Sequence, residues 1–183
     1  MIRSLLPTGL IFIAAFIVTV IASSIAHIYY MPRVEFERLE AGFLENFEAN
    51  GDWSHGRELV GPDFTAVVRP NNDTLYSSTF INLEDGPLIL TVPETGARYY
   101  SVQFLDPMTE VYAVVSRRTH GGGGGTYAIL PPGYSGDAPD TDDVIEAPDN
   151  RAWVLVRFLI DGEHDLAAVH TLQDQLSLEY AED

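Results

Sequence analysis

Leu5 to Ala26 (LLPTGLIFIAAFIVTVIASSIA) is a run of 22 residues without a charge, and it constrains this chain more than any other feature. As a helix rising 1.5 Å per residue it reaches about 33 Å, enough to cross a hydrocarbon core of about 30 Å. Tyr29 and Tyr30 follow at the depth where interfacial aromatics sit. The competing reading is a cleaved signal peptide with Ser24-Ile25-Ala26 as its small-residue site, but the run is longer than the usual apolar region of about 7–15 residues. The sequence therefore predicts a retained anchor over residues 5–30.

Charge sets the expected orientation. Arg3 precedes the span, and Arg33 and Arg38 follow it, so the local positive-inside balance is nearly even. Past Arg33 the chain carries 27 acidic residues against 8 arginines, a net of −19. A short tail stays inside more readily than a large acidic domain. The expectation is a single-pass protein of the bacterial inner membrane with a cytoplasmic N-terminus and a periplasmic main domain.

Composition removes whole classes of chemistry. A net charge of −17 argues against nucleic acid, which needs clustered positive charge. With no cysteine there are no disulfides, thiolate metal sites or cysteine nucleophiles. All ten basic residues are arginine, so Schiff-base chemistry and a P-loop lysine are excluded.

From Arg33 to Asn50 the apolar residues Phe36, Leu39, Phe43 and Phe47 step by 3, 4 and 4, which predicts a short amphipathic helix over 33–50. Its glutamates disfavour anionic lipid, so the helix is expected to pack on its own domain or on a partner. The rest, 58–180, reads as a mostly β domain. Strand-like runs are Phe64–Val68, Thr74–Leu83, Leu88–Val92, Tyr99–Phe104, Val111–Ser116, Tyr127–Leu130 and Trp153–Ile160, separated by breakers such as Asp85-Gly86-Pro87 and Pro131-Pro132-Gly133. Short strands with no helical stretch between them predict an antiparallel sandwich or barrel. A C-terminal helix is expected after Asp161-Gly162, with Leu166, Val169, Leu172 and Leu176 on one face.

Three polar clusters could carry function. In Arg69-Pro70-Asn71-Asn72-Asp73-Thr74-Leu75-Tyr76, Arg69 is a candidate for holding an anionic or sugar-like ligand, with Asn72, Asp73 and Tyr76 beside it. The same residues also fit a polar corner whose groups satisfy one another. The second cluster is Arg98 to Asp106, where Tyr99, Ser101 and Gln103 share one strand face. The third is Arg117-Arg118-Thr119-His120 before five glycines, an anion pocket with Arg118 as candidate or simply a flexible loop. Hydrolase and metal motifs fail. Gly133-Tyr134-Ser135-Gly136-Asp137 has Asp where a nucleophile elbow ends in Gly, and His164 and His170 do not share a helix face. The acids from Asp137 to Asp149 do not match an EF-hand. No catalytic residue, metal or cofactor is assigned.

Five segments resemble the bacterial family called domain of unknown function 1254: RPNNDTLYSSTFINLEDGPLILTVPE (69–94), RYYSVQFLDPMTEVYAVVSRRTHG (98–121), ILPPGY (129–134), WVLVRFLIDG (153–162) and LQDQLSL (172–178). The resemblance implies a jelly-roll-like β domain with no established activity. In longer relatives a second β domain follows, domain of unknown function 1214, and this chain reaches Asp183 before any such domain. It also departs from relatives at the glycine run and at Tyr134, where tryptophan is common. Two functions are therefore expected. One is an anchored subunit that forms a hetero-oligomer with another membrane-anchored β-domain protein, in contact with membrane lipid. The alternative is an enzyme or binding protein for an envelope sugar or lipid, using Arg69, Asn72, Asp73, Tyr76, Arg98 and Asp106.

Overall fold

The computed structural model describes residues 5–59 and 71–181. The strand expected over 64–68 and the candidate Arg69 lie outside the described residues. The apolar run and the amphipathic stretch form one helix, α1 (Leu5–Leu44), continuous through Pro32. It is long and apolar enough to cross a membrane, a property shared by anchors and signal sequences. A proline inside a helix removes one backbone bond, and the helix continues through it here.

Among the described residues nine strands follow: β1 (Ser54–His55), β2 (Thr74–Asn82), β3 (Leu88–Val92), β4 (Tyr100–Leu105), β5 (Val111–Ser116), β6 (Gly125–Leu130), β7 (Asp143–Glu146), β8 (Arg151–Leu159) and β9 (Ser177–Tyr180). A one-turn helix, α2 (Arg117–His120), separates β5 from β6, and α3 (Leu166–Asp174) precedes β9. They make a five-stranded sheet in the order β1-β2-β8-β4-β5 and a four-stranded sheet in the order β7-β6-β3-β9. Every pairing is antiparallel except that of β6 with β7, which is parallel. β1, β7 and β9 escape prediction because they are two to four residues long, too short to show a period.

β8 shows why these residues make a sheet. Ala152, Val154, Val156 and Phe158 are fully buried, while Arg151, Trp153, Leu155 and Arg157 between them point to the opposite face. The register carries this inner set across to Leu75 and Ile81 of β2 and to Tyr100, Val102 and Phe104 of β4. Leu88, Leu90, Val92, Tyr127 and Ile129 of the second sheet join the same core, and Val169 and Leu176 complete it. Each buried Val, Leu, Ile or Phe among them contributes about 1.5–3 kcal/mol.

The outer face of the five-stranded sheet is covered at one end by α1. Phe36 and Phe43 meet Phe80 of β2 at 5.4 Å between ring centroids in each case, and Phe80 stacks on Trp153 of β8 at 6.0 Å. Phe47 adds to the cluster, whereas Leu39 stays exposed. Arg151 Nη1 donates to Glu40 Oε2 at 2.9 Å, its Nη2 lies 3.6 Å from Glu37, and its guanidinium sits over the Phe36 ring. Burial raises the Glu40 carboxyl above its ordinary value, and Arg151 opposes that rise. Higher up the helix, Ile25, Ile28, Tyr29 and Pro32 flank a cleft of about 400 Å³ with Met108 and Glu110 from the β4–β5 turn. The β domain is thus seated directly at the end of the apolar run.

Candidate functional site

Beyond α1 the outer face of the five-stranded sheet becomes polar. Thr74 and Tyr76 lie on β2 opposite Leu159 and Arg157 of β8, and Ser101 of β4 is the other neighbour of Arg157. Thr74, Tyr76, Arg157 and Leu159, together with Asn71, Asp73 and Tyr99, line a pocket of about 480 Å³, and Ser101 lies buried behind it. The half-buried Arg157 guanidinium lies over the Tyr76 ring, 5.3 Å from its centroid, and Nη1 donates to Gln103 Oε1. A ring face attracts a cation and leaves the outward N–H groups free. No carboxylate pairs with Arg157 among the described residues.

The loop before β2 shapes the rim. Asn71 Nδ2 donates to Thr74 Oγ1 at 2.8 Å, and its Oδ1 accepts from the Asp73 N–H at 3.0 Å, an Asx turn. The Asp73 backbone carbonyl accepts from the Ile160 N–H at 2.9 Å, which ties the loop to the end of β8 and leaves the carboxylate exposed at the rim. Asp73 and Tyr76 are therefore brought together in one pocket. Asn72 is exposed and does not line it.

Three other candidates stand elsewhere. Arg98 donates to Asp165 through both terminal nitrogens, one of them at 2.8 Å, and to the Leu159 carbonyl at 2.6 Å. These hydrogen bonds hold the Asp165 carboxyl down at about 2 and clamp β4 to the turn before α3. Asp106 caps the β4–β5 turn: its Oδ1 accepts the Met108 and Glu110 N–H groups at 2.9 Å each. That turn contains Thr109 at φ 61, a conformation that a β-branched residue adopts only when its surroundings impose it. Arg118 is exposed on α2. Among the glycines after α2, Gly122, Gly124 and Gly125 pack closely, whereas Gly121 and Gly123 face open space. A Cβ on Gly122 would lie 1.9 Å from the Gly96 carbonyl oxygen, which itself accepts from Arg117 Nε.

Two further groupings deserve chemical scrutiny. His55 Nδ1 is 2.8 Å from Ser77 Oγ, the spacing of a nucleophile and its base. Ser77 is wholly buried, however, and its oxygen also accepts from Gln173 Nε2 at 3.1 Å, so no substrate can reach it. Burial, followed by the charge of Arg57, lowers the His55 pKa. This network fastens α3 to β1 and β2. The second grouping is a groove of about 280 Å³ between edge strands β5 and β7, lined by Tyr112, Val114, His120, Asp143 and Ile145 among others. His120 Nε2 meets Asp143 Oδ2 there at 2.9 Å, and that hydrogen bond lowers the Asp143 pKa.

Arg157, Tyr99, Gln103 and Asn71 join the candidate ligand groups only through the fold. One signal for Arg157 was present: it is the only charged residue between Trp153 and Ile160. An arginine within an apolar strand must face outward and find polar company.

Comparison with known proteins follows the β domain. The family described as "Protein of unknown function (DUF1254)" matches residues 51–180. A crystal structure of a Vibrio parahaemolyticus protein is similar with a TM-score of 0.69 and 23% identity, over 85% of this chain and 36% of that one. A crystal structure of an uncharacterized protein from Burkholderia cenocepacia is similar with a TM-score of 0.49 and 12% identity, over 79% of this chain and 37% of that one. The chain thus spans little more than a third of the length of these solved proteins. No curated protein matches it.

Proposed function

The chain belongs to this family, and on that premise we propose that it is a membrane-anchored, extracytoplasmic subunit that pairs with a second anchored β-domain protein in an inner-membrane complex. The observation that carries the reading is β5. This six-residue strand, VYAVVS, is an edge of its sheet among the described residues, and it has no charge or proline to discourage pairing. Val111 and Val114 on it are 47% and 41% exposed, and Val144 on neighbouring β7 is 41% exposed. Proteins normally blunt such edges, and an edge left unblunted is a template for another chain. α1 docks through Phe36 and Phe43, which would hold β5 at a constant height above the bilayer and raise the effective concentration of a partner in the same membrane. The chain crosses from the five-stranded sheet to the four-stranded one and back at β2, β3 and β4, and again at β7, β8 and β9, which supports a jelly-roll-like winding.

The test is purification of the tagged full chain in mild detergent, with identification of what accompanies it. An anchored β protein should copurify, and Val114→Lys should release it while leaving the melting temperature nearly unchanged. A full chain that runs as a lone monomer, with no partner recovered after in-cell cross-linking, would sink the proposal.

A further inference from the structure

We propose that the pocket around Arg157 binds a neutral saccharide, and this does not depend on the pairing proposed above. The pocket of about 480 Å³ falls in the size range of small-molecule sites. Its chemistry is mixed. Arg157 offers N–H groups with no carboxylate to take them among the described residues, the exposed Asp73 carboxylate offers acceptors, and Asn71 and Thr74 lie at the rim. Tyr76 is already engaged by Arg157, and Tyr99 remains 48% exposed at the pocket wall.

A second observation points the same way. Ser101 is 4% exposed, lies directly across from Arg157 in the register, and has a buried hydroxyl without a partner among the described residues. Buried hydroxyls are normally satisfied, and this orphan stands behind Arg157 without lining the pocket, so it adds unused polar capacity beside the site.

Charge decides the ligand class. A simple anion would suit Arg157, but it would meet Asp73 at the rim and the field of a chain with net charge −17. A cation would suit Asp73 and be repelled by Arg157. A sugar hydroxyl both donates and accepts, so one ring can satisfy the carboxylate and the guanidinium together, while its apolar C–H face lies on an exposed tyrosine.

The full chain in a polyoxyethylene detergent, which has no sugar headgroup, can be titrated with maltose, cellobiose and N,N′-diacetylchitobiose and, separately, with citrate and inorganic phosphate. Saturation-transfer NMR and calorimetry read the binding. At least one disaccharide should bind, and Arg157→Gln should weaken it about tenfold, the loss of one charge-assisted hydrogen bond. Tyr99→Ala, which changes only an exposed side chain, should weaken it severalfold even if Arg157→Gln proves unstable. Arg151→Gln, at the covered end of the same strand, should bind as the wild type does. Binding of citrate or phosphate alone, binding of none of the five, or unchanged affinity in both pocket variants would overturn the proposal.

Discussion

The two ends of one sheet face differ sharply although the same strand runs through both. Arg151 and Arg157 stand six residues apart on β8, on the same side, each with its guanidinium over an aromatic ring at 5.6 and 5.3 Å. At the Arg151 end, α1 brings Glu37 and Glu40 to the arginine and Phe36 and Phe43 to Phe80 and Trp153. At the Arg157 end there is Gln103, a neutral partner, and an open pocket. An arginine over a ring is therefore not a signature of function. What distinguishes the two is whether the protein itself neutralises the charge. Arg98 belongs with Arg151, because Asp165 takes both of its terminal nitrogens.

The largest effect should come from the aromatic seam. Phe80 is nearly buried between α1 and Trp153, so Phe80→Ala should destabilise the docked helix and domain by about 3–5 kcal/mol. Thermal unfolding in detergent checks this. A loss under about 1 kcal/mol would mean that α1 is not held to the sheet by this seam.

Next comes the clamp at Arg98. The folded Asp165 carboxyl sits at about 2, below its ordinary 3.8. Its contribution is therefore complete above about pH 4 and is lost as pH falls from 4 through 2. Discounted for the partial exposure of the pair, it is on the order of 1–2 kcal/mol. Asp165→Asn should lower the melting temperature at pH 7 and flatten that part of the acid limb in a pH series of melts. An acid limb of the same steepness in the variant would show that the Arg98–Asp165 clamp does not stabilise the domain.

Arg151→Gln should be smaller, about 1 kcal/mol, because the arginine is one-third exposed but its loss leaves Glu40 half-buried without a cation. Arg157→Gln should change stability least, within about 0.5 kcal/mol, as expected where no charge pair is broken. Melting curves of the two variants side by side decide between them. If Arg157→Gln proves the more destabilising, the contrast between the two ends collapses and Arg157 becomes a structural residue.

Much of the fold was legible locally. The strands over Leu88–Val92 and Val111–Ser116 coincide with the alternating runs that predict them, and α3 begins at Leu166 where its apolar face was read. Alternation is a property of neighbours along the chain, so the sequence displays it directly. The site was legible in part. Asp73 and Tyr76 share a short segment that stands out by composition, and both reach the pocket. The roles of Arg98 and Asp106 were not, since each is decided by a partner or turn geometry that composition does not express. The glycines 121–125 read as a loop, but only packing against Gly96 explains why Gly122 has no room for a side chain.

By itself the amino-acid sequence determined the apolar helix, the acidic excess beyond it, and which residues share a face of the strand Tyr100–Leu105, because all three depend on the residues within one segment and on water. Tertiary structure alone decided which charges would be cancelled. Tyr76 and Arg157 are 81 residues apart and meet through the β2–β8 register, and Arg151 finds Glu40 across 111 residues because α1 lies on that end of the sheet. The strength of a charge depends on what stands within a few ångströms, and register sets those neighbours.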